Sequence, residues 1–242
     1  MWNNFKKLFK ADIKFIARDP MLLFAILAPF FVILFLRLLF PLIDGFIFLK
    51  TGFQPDKYYS LIAISMIPII PILVGMVYAF ILLDENELHI LRIISVTPAG
   101  MKNFLFMQMM MPAFLGFFMV LISIFLTNPV PSEGWLRTIF VAFLLSTQSS
   151  FVFLFIGSLA GNRVEGLALS KLYGVFLIAV PLGLLLHHPW NYFAFFSPLY
   201  WSACAWVCSA PVESLIYGAI SMVITFVCIA ILFRHFLRKH TN

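Results

Sequence analysis

Long apolar runs, each about the length of a membrane crossing, alternate along this chain with short polar breaks. A helix needs about 20 mostly apolar residues to cross a hydrocarbon core roughly 30 Å thick. Six runs meet that length, at about residues 21–43, 60–83, 104–126, 136–160, 172–188 and 214–234. No series of short alternating segments, the pattern of a membrane barrel, is present. The pattern predicts an all-α integral membrane protein with six transmembrane helices, forming a single domain over residues 1–242.

Composition agrees. With 63% hydrophobic residues, 11% charged and 30 phenylalanines in 242 positions, the chain lacks the charged surface of a soluble domain of this length. Charge then sets orientation, because cytoplasmic flanks retain Lys and Arg during insertion. One side of the predicted bundle holds twelve: Lys6, Lys7, Lys10, Lys14, Arg18, Arg92, Lys102, Arg163, Lys171, Arg234, Arg238 and Lys239. The other holds Lys50, Lys57 and Arg137, while Arg37 lies within the first run, where its head is expected to snorkel to the outer headgroups. Both termini are therefore expected in the cytosol. The net charge of +6 reads as topology and contact with anionic membrane lipids, and nucleic acid is not an expected partner.

Ahead of the first run, residues 2–19 place Phe5, Leu8, Phe9, Ile13 and Ile16 at helical spacing opposite Lys7, Lys10, Lys14 and Arg18. Such a helix lies in the membrane interface, either as an anchor alone or as an elbow that also touches a partner subunit. Pro20 suits the first turn of the helix that follows. The first apolar run is too long for a cleaved signal peptide and is expected to act as its own insertion signal.

Several runs contain breaks or polar groups. Pro68, Pro71 and Gly75 should bend the second span, and Pro181 with Gly183 should break the fifth. The polar stretch Ser146, Thr147, Gln148, Ser149 and Ser150 in the fourth span fits interhelical hydrogen bonding, or else a path or interface, and Gln108 is a further candidate for that role. Residues 187–211 are too apolar for a free outer loop and too interrupted by proline for a crossing, so they should dip into the outer leaflet as a re-entrant segment. Their aromatics fit an interfacial belt or, at Pro198, Tyr200 and Trp201, an outer gate. His187 and His188 are adjacent and ill placed to share a metal, and Cys204 and Cys208 are expected as free thiols.

The chain carries no HExxH, no phosphate-binding GxxxxGK[ST] loop, no GxSxG elbow and no carboxylate deep in a span. It is therefore not expected to be an enzyme, to hold a cofactor or metal, or to drive uphill transport by itself. Residues 84–100, DENELHILRIISVTPAG, are the most polar internal stretch. The pattern predicts a helix over 87–96, about 15 Å long and far too short to cross, with Asp84, Glu85 and Glu87 at its positive N-terminal end and Thr97–Pro98 closing it. Leu88 and Leu91 with their isoleucine neighbours leave it apolar on more than one side, so it is either a plain interfacial loop helix or one whose first face packs beneath the spans while the other fits a groove on a cytosolic subunit.

The acid-rich opening followed by LRIISVTPAGMKNFL resembles the cytoplasmic coupling segment of the ATP-binding-cassette type-2 permeases. NRVEGLALSKLYG, residues 162–174, is similar to the loop between the fourth and fifth spans in a fluoroquinolone-export-permease-like branch. The chain departs from the family in having Leu88 to Ile90 where Gly-Thr is common, and Gln108 where a basic residue is common. The resemblance implies an export permease in the cytoplasmic membrane of a prokaryote. Two permease chains would form the path, and ATP and Mg would be held by a partner ATPase. That ATPase would grip Asp84, Glu85, Glu87, Leu88, Leu91, Arg92, Thr97 and Pro98, and residues 187–211 would serve as the outer constriction.

Overall fold

A computed structural model describes residues 19–95, 100–130, 134–185 and 190–241. The amphipathic stretch before Asp19 lies outside them, as do Thr97, Pro98, His187 and His188. Helix α1 (Pro20–Leu34) passes through a π turn at Phe35–Leu39 into α2 (Phe40–Thr51). The turn widens where the Phe40 N–H bonds the Phe35 carbonyl, just ahead of Pro41, whose missing N–H would leave an α-helical bond unmade in any case. The helix closes on Gly52 in the left-handed region at φ 67°. The first crossing thus runs on to Thr51, past the expected end at about 43, and carries Lys50 on its last turn, 4.5 Å above the Phe46 ring.

The second crossing is divided, as its prolines require. After a 3₁₀ turn at Pro55–Tyr58, α3 (Tyr59–Met66) stops at Ile67–Pro68 and α4 (Ile69–Glu87) resumes, running through Pro71 and Gly75 without a second break. There follow α5 (Ile90–Ser95), α6 (Gly100–Thr127), α7 (Trp135–Leu159) and α8 (Arg163–Leu185). A 3₁₀ turn at Trp190–Ala194, α9 (Pro198–Val207) and α10 (Pro211–Thr241) complete the chain. Among the described residues, six helical segments are long and apolar enough to cross a membrane, so the chain is a multi-pass membrane protein.

Two expectations about the fifth span need correction. Helix α8 is unbroken through Pro181, which lies near its end, where one lost N–H disturbs only the last turn. It also begins well before residue 172: the stretch 162–174, expected as a loop, forms its cap and first turns. Asn162 and Glu165 account for this as a capping box, with the Glu165 N–H bonding Asn162 Oδ1 at 2.9 Å and the Glu165 carboxylate accepting from the Gly161 N–H at 2.6 Å.

Helix α7 is the centre of the bundle, packed against α4, α6 and α10. Most of the second and fourth crossings is buried inside the chain, 78% of each, against 28%, 22% and 22% for the first, fifth and sixth. Because lipid tails are as apolar as leucine, close approach and hydrogen bonds hold such helices together. Ser149 shows both. A Cβ on Gly75 of α4 would lie 2.4 Å from its carbonyl oxygen, one on Gly116 of α6 would lie 2.9 Å from its Oγ, and that Oγ donates to the Pro112 carbonyl at 2.8 Å.

At one end of the bundle, hereafter the Arg137 end, helix C-termini meet cations and hydroxyls. Arg37 donates to the Leu126 carbonyl, Tyr59 Oη to Thr127 at 2.6 Å and Ser60 Oγ to Pro129 at 2.6 Å, which satisfies carbonyls in the last turn of α6 and in the turn that follows it. Arg37 thus caps a neighbouring helix, because the free carbonyls at the negative end of α6 lie within its reach. Arg137 caps α9 in the same way, through Trp206 at 2.7 Å and Ala205 at 3.1 Å.

Helix α9 lies deep at its start and shallow at its end. Ser221, ten residues or about 15 Å into α10, donates to the Pro198 carbonyl at 2.9 Å. Ser214, only three residues into α10, donates to Ala205 at 2.6 Å. The helix therefore rises alongside α10 toward the Arg137 end.

Candidate functional site

The acidic stretch lies at the opposite end of the bundle, hereafter the Arg163 end. Asp84, Glu85 and Glu87 close α4 rather than open the next helix: α4 runs to Glu87, Leu88 and His89 form a turn with His89 at φ 58°, and α5 begins at Ile90. Two contacts explain the extension. The guanidinium of Arg163, first residue of α8, forks onto both oxygens of Asp84 through Nε and Nη2, and Gln108 Nε2 of α6 donates to Glu85 at 2.9 Å. A carboxylate at a helix C-terminus is disfavoured by the macrodipole, and these partners offset that cost.

The fork has a third arm. Arg163 Nη1 bonds Asp19 Oδ2 at 2.6 Å, while Asp19 Oδ1 caps α1 by accepting from the Leu22 N–H at 3.4 Å. One cation therefore joins the ends of α1, α4 and α8. Arg163 and Asp19 were not evident from the sequence as site residues, because the partners are 79 and 144 positions apart from it. The available signal was the capping box Asn162–Glu165, which sets an arginine at the first position of a helix, where a cation is least favoured.

Of the other predicted coupling residues, Leu91 is buried against the core, whereas Glu87 and Leu88 are exposed, Leu88 at 65%. Arg92 lies on α5, which touches α4, α6 and α10. The structure thus separates the stretch into an inward set, Asp84, Glu85 and Leu91, and an outward turn, Glu87 to His89.

The polar run of α7 is wholly buried and spent on bonds within the chain. Ser146 and Thr147 bond back to their own helix, Ser149 and Ser150 reach the Pro112 and Met109 carbonyls of α6, and Gln148 joins Thr225 of α10 at 2.9 Å and Tyr173 of α8 at 3.2 Å. Gln108 is likewise 2% exposed.

At the deep start of α9, Pro198 opens the helix and Tyr200 is buried, stacked on Phe195 at 5.7 Å and edge-on to Trp201 at 5.5 Å. Only glycine fits opposite it: a Cβ on Gly183 would lie 2.2 Å from the Tyr200 ring. These rings, with Leu184, Cys204 and Cys208, line a cleft of about 390 Å³. A second, almost purely apolar groove of about 430 Å³ lies between α8 and the following segment, lined by Val175, Ile178, Leu182, Phe193 and Phe196. The Cys208 thiol donates to Glu213 at 2.9 Å, and that bond, with some burial, raises its pKa. Among the described residues no three His, Cys, Asp or Glu side chains converge as metal ligands would.

Comparison with known proteins gives these features a family. The sequence model described as fluoroquinolones export permease protein Rv2686c-like matches residues 12–233. Two similar proteins from Mycobacterium tuberculosis, the fluoroquinolones export permease proteins MT2760 (strain CDC 1551 / Oshkosh) and Rv2686c (strain ATCC 25618 / H37Rv), are each 27% identical over 95% of this chain and 92% of their own length. No solved structure matches. With the match covering nearly every described helix, the chain belongs to the Rv2686c-like fluoroquinolones export permease family.

Proposed function

We propose that this chain is the membrane permease subunit of an exporter, moving amphipathic or hydrophobic compounds of the fluoroquinolone kind out of the cell with energy from a separate ATP-binding-cassette ATPase. ATP and Mg belong to that partner, and a second permease chain, identical or paralogous, completes the path. The Arg163 end faces the cytosol, in keeping with its excess of Lys and Arg. The observation that carries the reading is α5. A six-residue helix at the mouth of the bundle crosses nothing, yet it packs against three crossings with Leu91 buried and leaves the turn Glu87 to His89 exposed beside it. Such a piece has the form of a handle: a partner that grips the turn moves the ends of the second and third crossings together. The apolar groove along α8 holds no charged group and suits an amphipathic cargo.

The test is co-purification. Glu87→Lys with Leu88→Asp alters only exposed side chains, so the variant should insert normally while the yield of bound ATPase falls about tenfold or more. Leu91→Pro, which breaks α5 itself, should do the same. Undiminished ATPase on both variants would refute the docking assignment.

A further inference from the structure

The fork at Arg163 does more than neutralise a buried acid. Asp84 lies at the negative end of its own helix and Arg163 at the positive end of its own, so each charge is disfavoured where it stands alone. In contact, each faces the helix end that suits it: the carboxylate meets the N-terminus of α8, and the guanidinium meets the C-terminus of α4. Asp19, capping α1, takes the remaining arm. Separation would leave Asp84 and Arg163 each at the helix end that disfavours its charge, so the three helix ends favour staying joined.

The crossings so joined are unequal. Over its most apolar stretch that of α4 is 78% buried, whereas those beginning at α1 and α8 are 28% and 22% buried and lie at the outside of the bundle. With less of their surface packed against other helices, the two outer crossings depend more on polar ties such as this one. The tie is also close to the handle. Asp84 lies one turn before the end of α4, and only Leu88 and His89 separate that end from α5.

We infer that Arg163 is the positioning residue that makes the ends of α1, α4 and α8 one mechanical unit, so that displacement of α5 reaches the first and fifth crossings as well as the second. The inference builds on the docking role of α5, but its first test requires neither ATPase nor cargo. In a variant lacking the three cysteines, spin labels at the exposed positions Glu87→Cys and Val164→Cys report the distance between the end of α4 and the start of α8 in lipid nanodiscs. A narrow distribution is expected, and it should broaden with Arg163→Gln and recover with the charge exchange Arg163→Asp/Asp84→Arg. An equally broad distribution in the parent, or no change on Arg163→Gln, overturns the tie.

The second test uses the complete transporter in vesicles. Arg163→Gln should retain bound ATPase and its hydrolysis while export of a fluorescent fluoroquinolone falls about tenfold, with Arg163→Lys intermediate because an ammonium cannot span both oxygens of Asp84. Export at the parent rate with the spin-label distances broadened would overturn the transmitting role. Loss of ATPase from the parent complex itself would instead count against the docking reading.

Discussion

At the scale of single residues, the clearest energetic contrast lies between two glycines that both admit a close helix. A Cβ on Gly75 would fall 2.4 Å from the Ser149 backbone oxygen, whereas one on Gly157 would fall 2.7 Å from Cδ2 of Leu82. A leucine end can rotate aside. A helix backbone can yield only by moving α4 away from α7 and disturbing the Ser149 and Ser150 bonds to α6. Gly75→Ala should therefore destabilise the detergent-solubilised protein by about 3 kcal/mol or more, and Gly157→Ala by about 1 kcal/mol. Thermal unfolding monitored by tryptophan fluorescence would decide, and equal losses would contradict the contrast. Which helix each glycine meets was not legible in the sequence, since the atom its Cβ would touch belongs to an element far away along the chain.

At the scale of elements, two helices end on arginines borrowed from elsewhere: α6 on Arg37 and α9 on Arg137. The second matters more, because α9 is only ten residues long and its last carbonyls have few other donors. Arg137→Gln should loosen the end of α9, raising amide exchange over 204–208 while that of α7 is unchanged; Arg137→Lys should fall between. Uniform protection in Arg137→Gln would show that packing alone holds the element. The same scale explains what the sequence could and could not disclose. Six crossings were legible because each needs about 20 apolar residues and little else has that pattern. Their ends were not, because the helices continue past the apolar run into residues such as Asp84 to Glu87 and Arg163 to Lys171. Charged side chains with long stems are good helix formers, and it is tertiary partners that decide whether they stay helical. The break at Pro68 was legible, while the expected break at Pro181 was not realised. The acidic half of the site stood out in the sequence; the arginine that organises it did not, since nothing local joins position 84 to position 163.

At the scale of the whole molecule, the question is which end faces the cytosol, and the cations at the Arg137 end bear on it. Four basic residues, Arg37, Lys50, Lys57 and Arg137, lie toward that end against the stated rule that Lys and Arg remain inside. Two of the four cap helix C-termini, and Lys50 sits over a phenylalanine ring, so three have local structural roles that account for their position. The remaining charge bias, taken with the basic ends of α8 and α10, is the ground for proposing that the Arg137 end lies outside. Cys208 is a natural probe of this, in a variant that retains it as the one cysteine. A membrane-impermeant maleimide should label it on intact cells, whereas a cysteine at Glu87 should react only after permeabilisation; the reverse pattern would invert the topology. The rate carries its own signature. Maleimides react with thiolate, and the bond to Glu213 raises the pKa of Cys208, so labelling should be slow at neutral pH, quicken as pH rises toward the thiol pKa, and quicken at neutral pH in Glu213→Gln. Labelling that is fast at pH 7 and indifferent to Glu213 would mean that the thiol and carboxylate do not meet in the membrane, and that the turn between α9 and α10 is arranged otherwise.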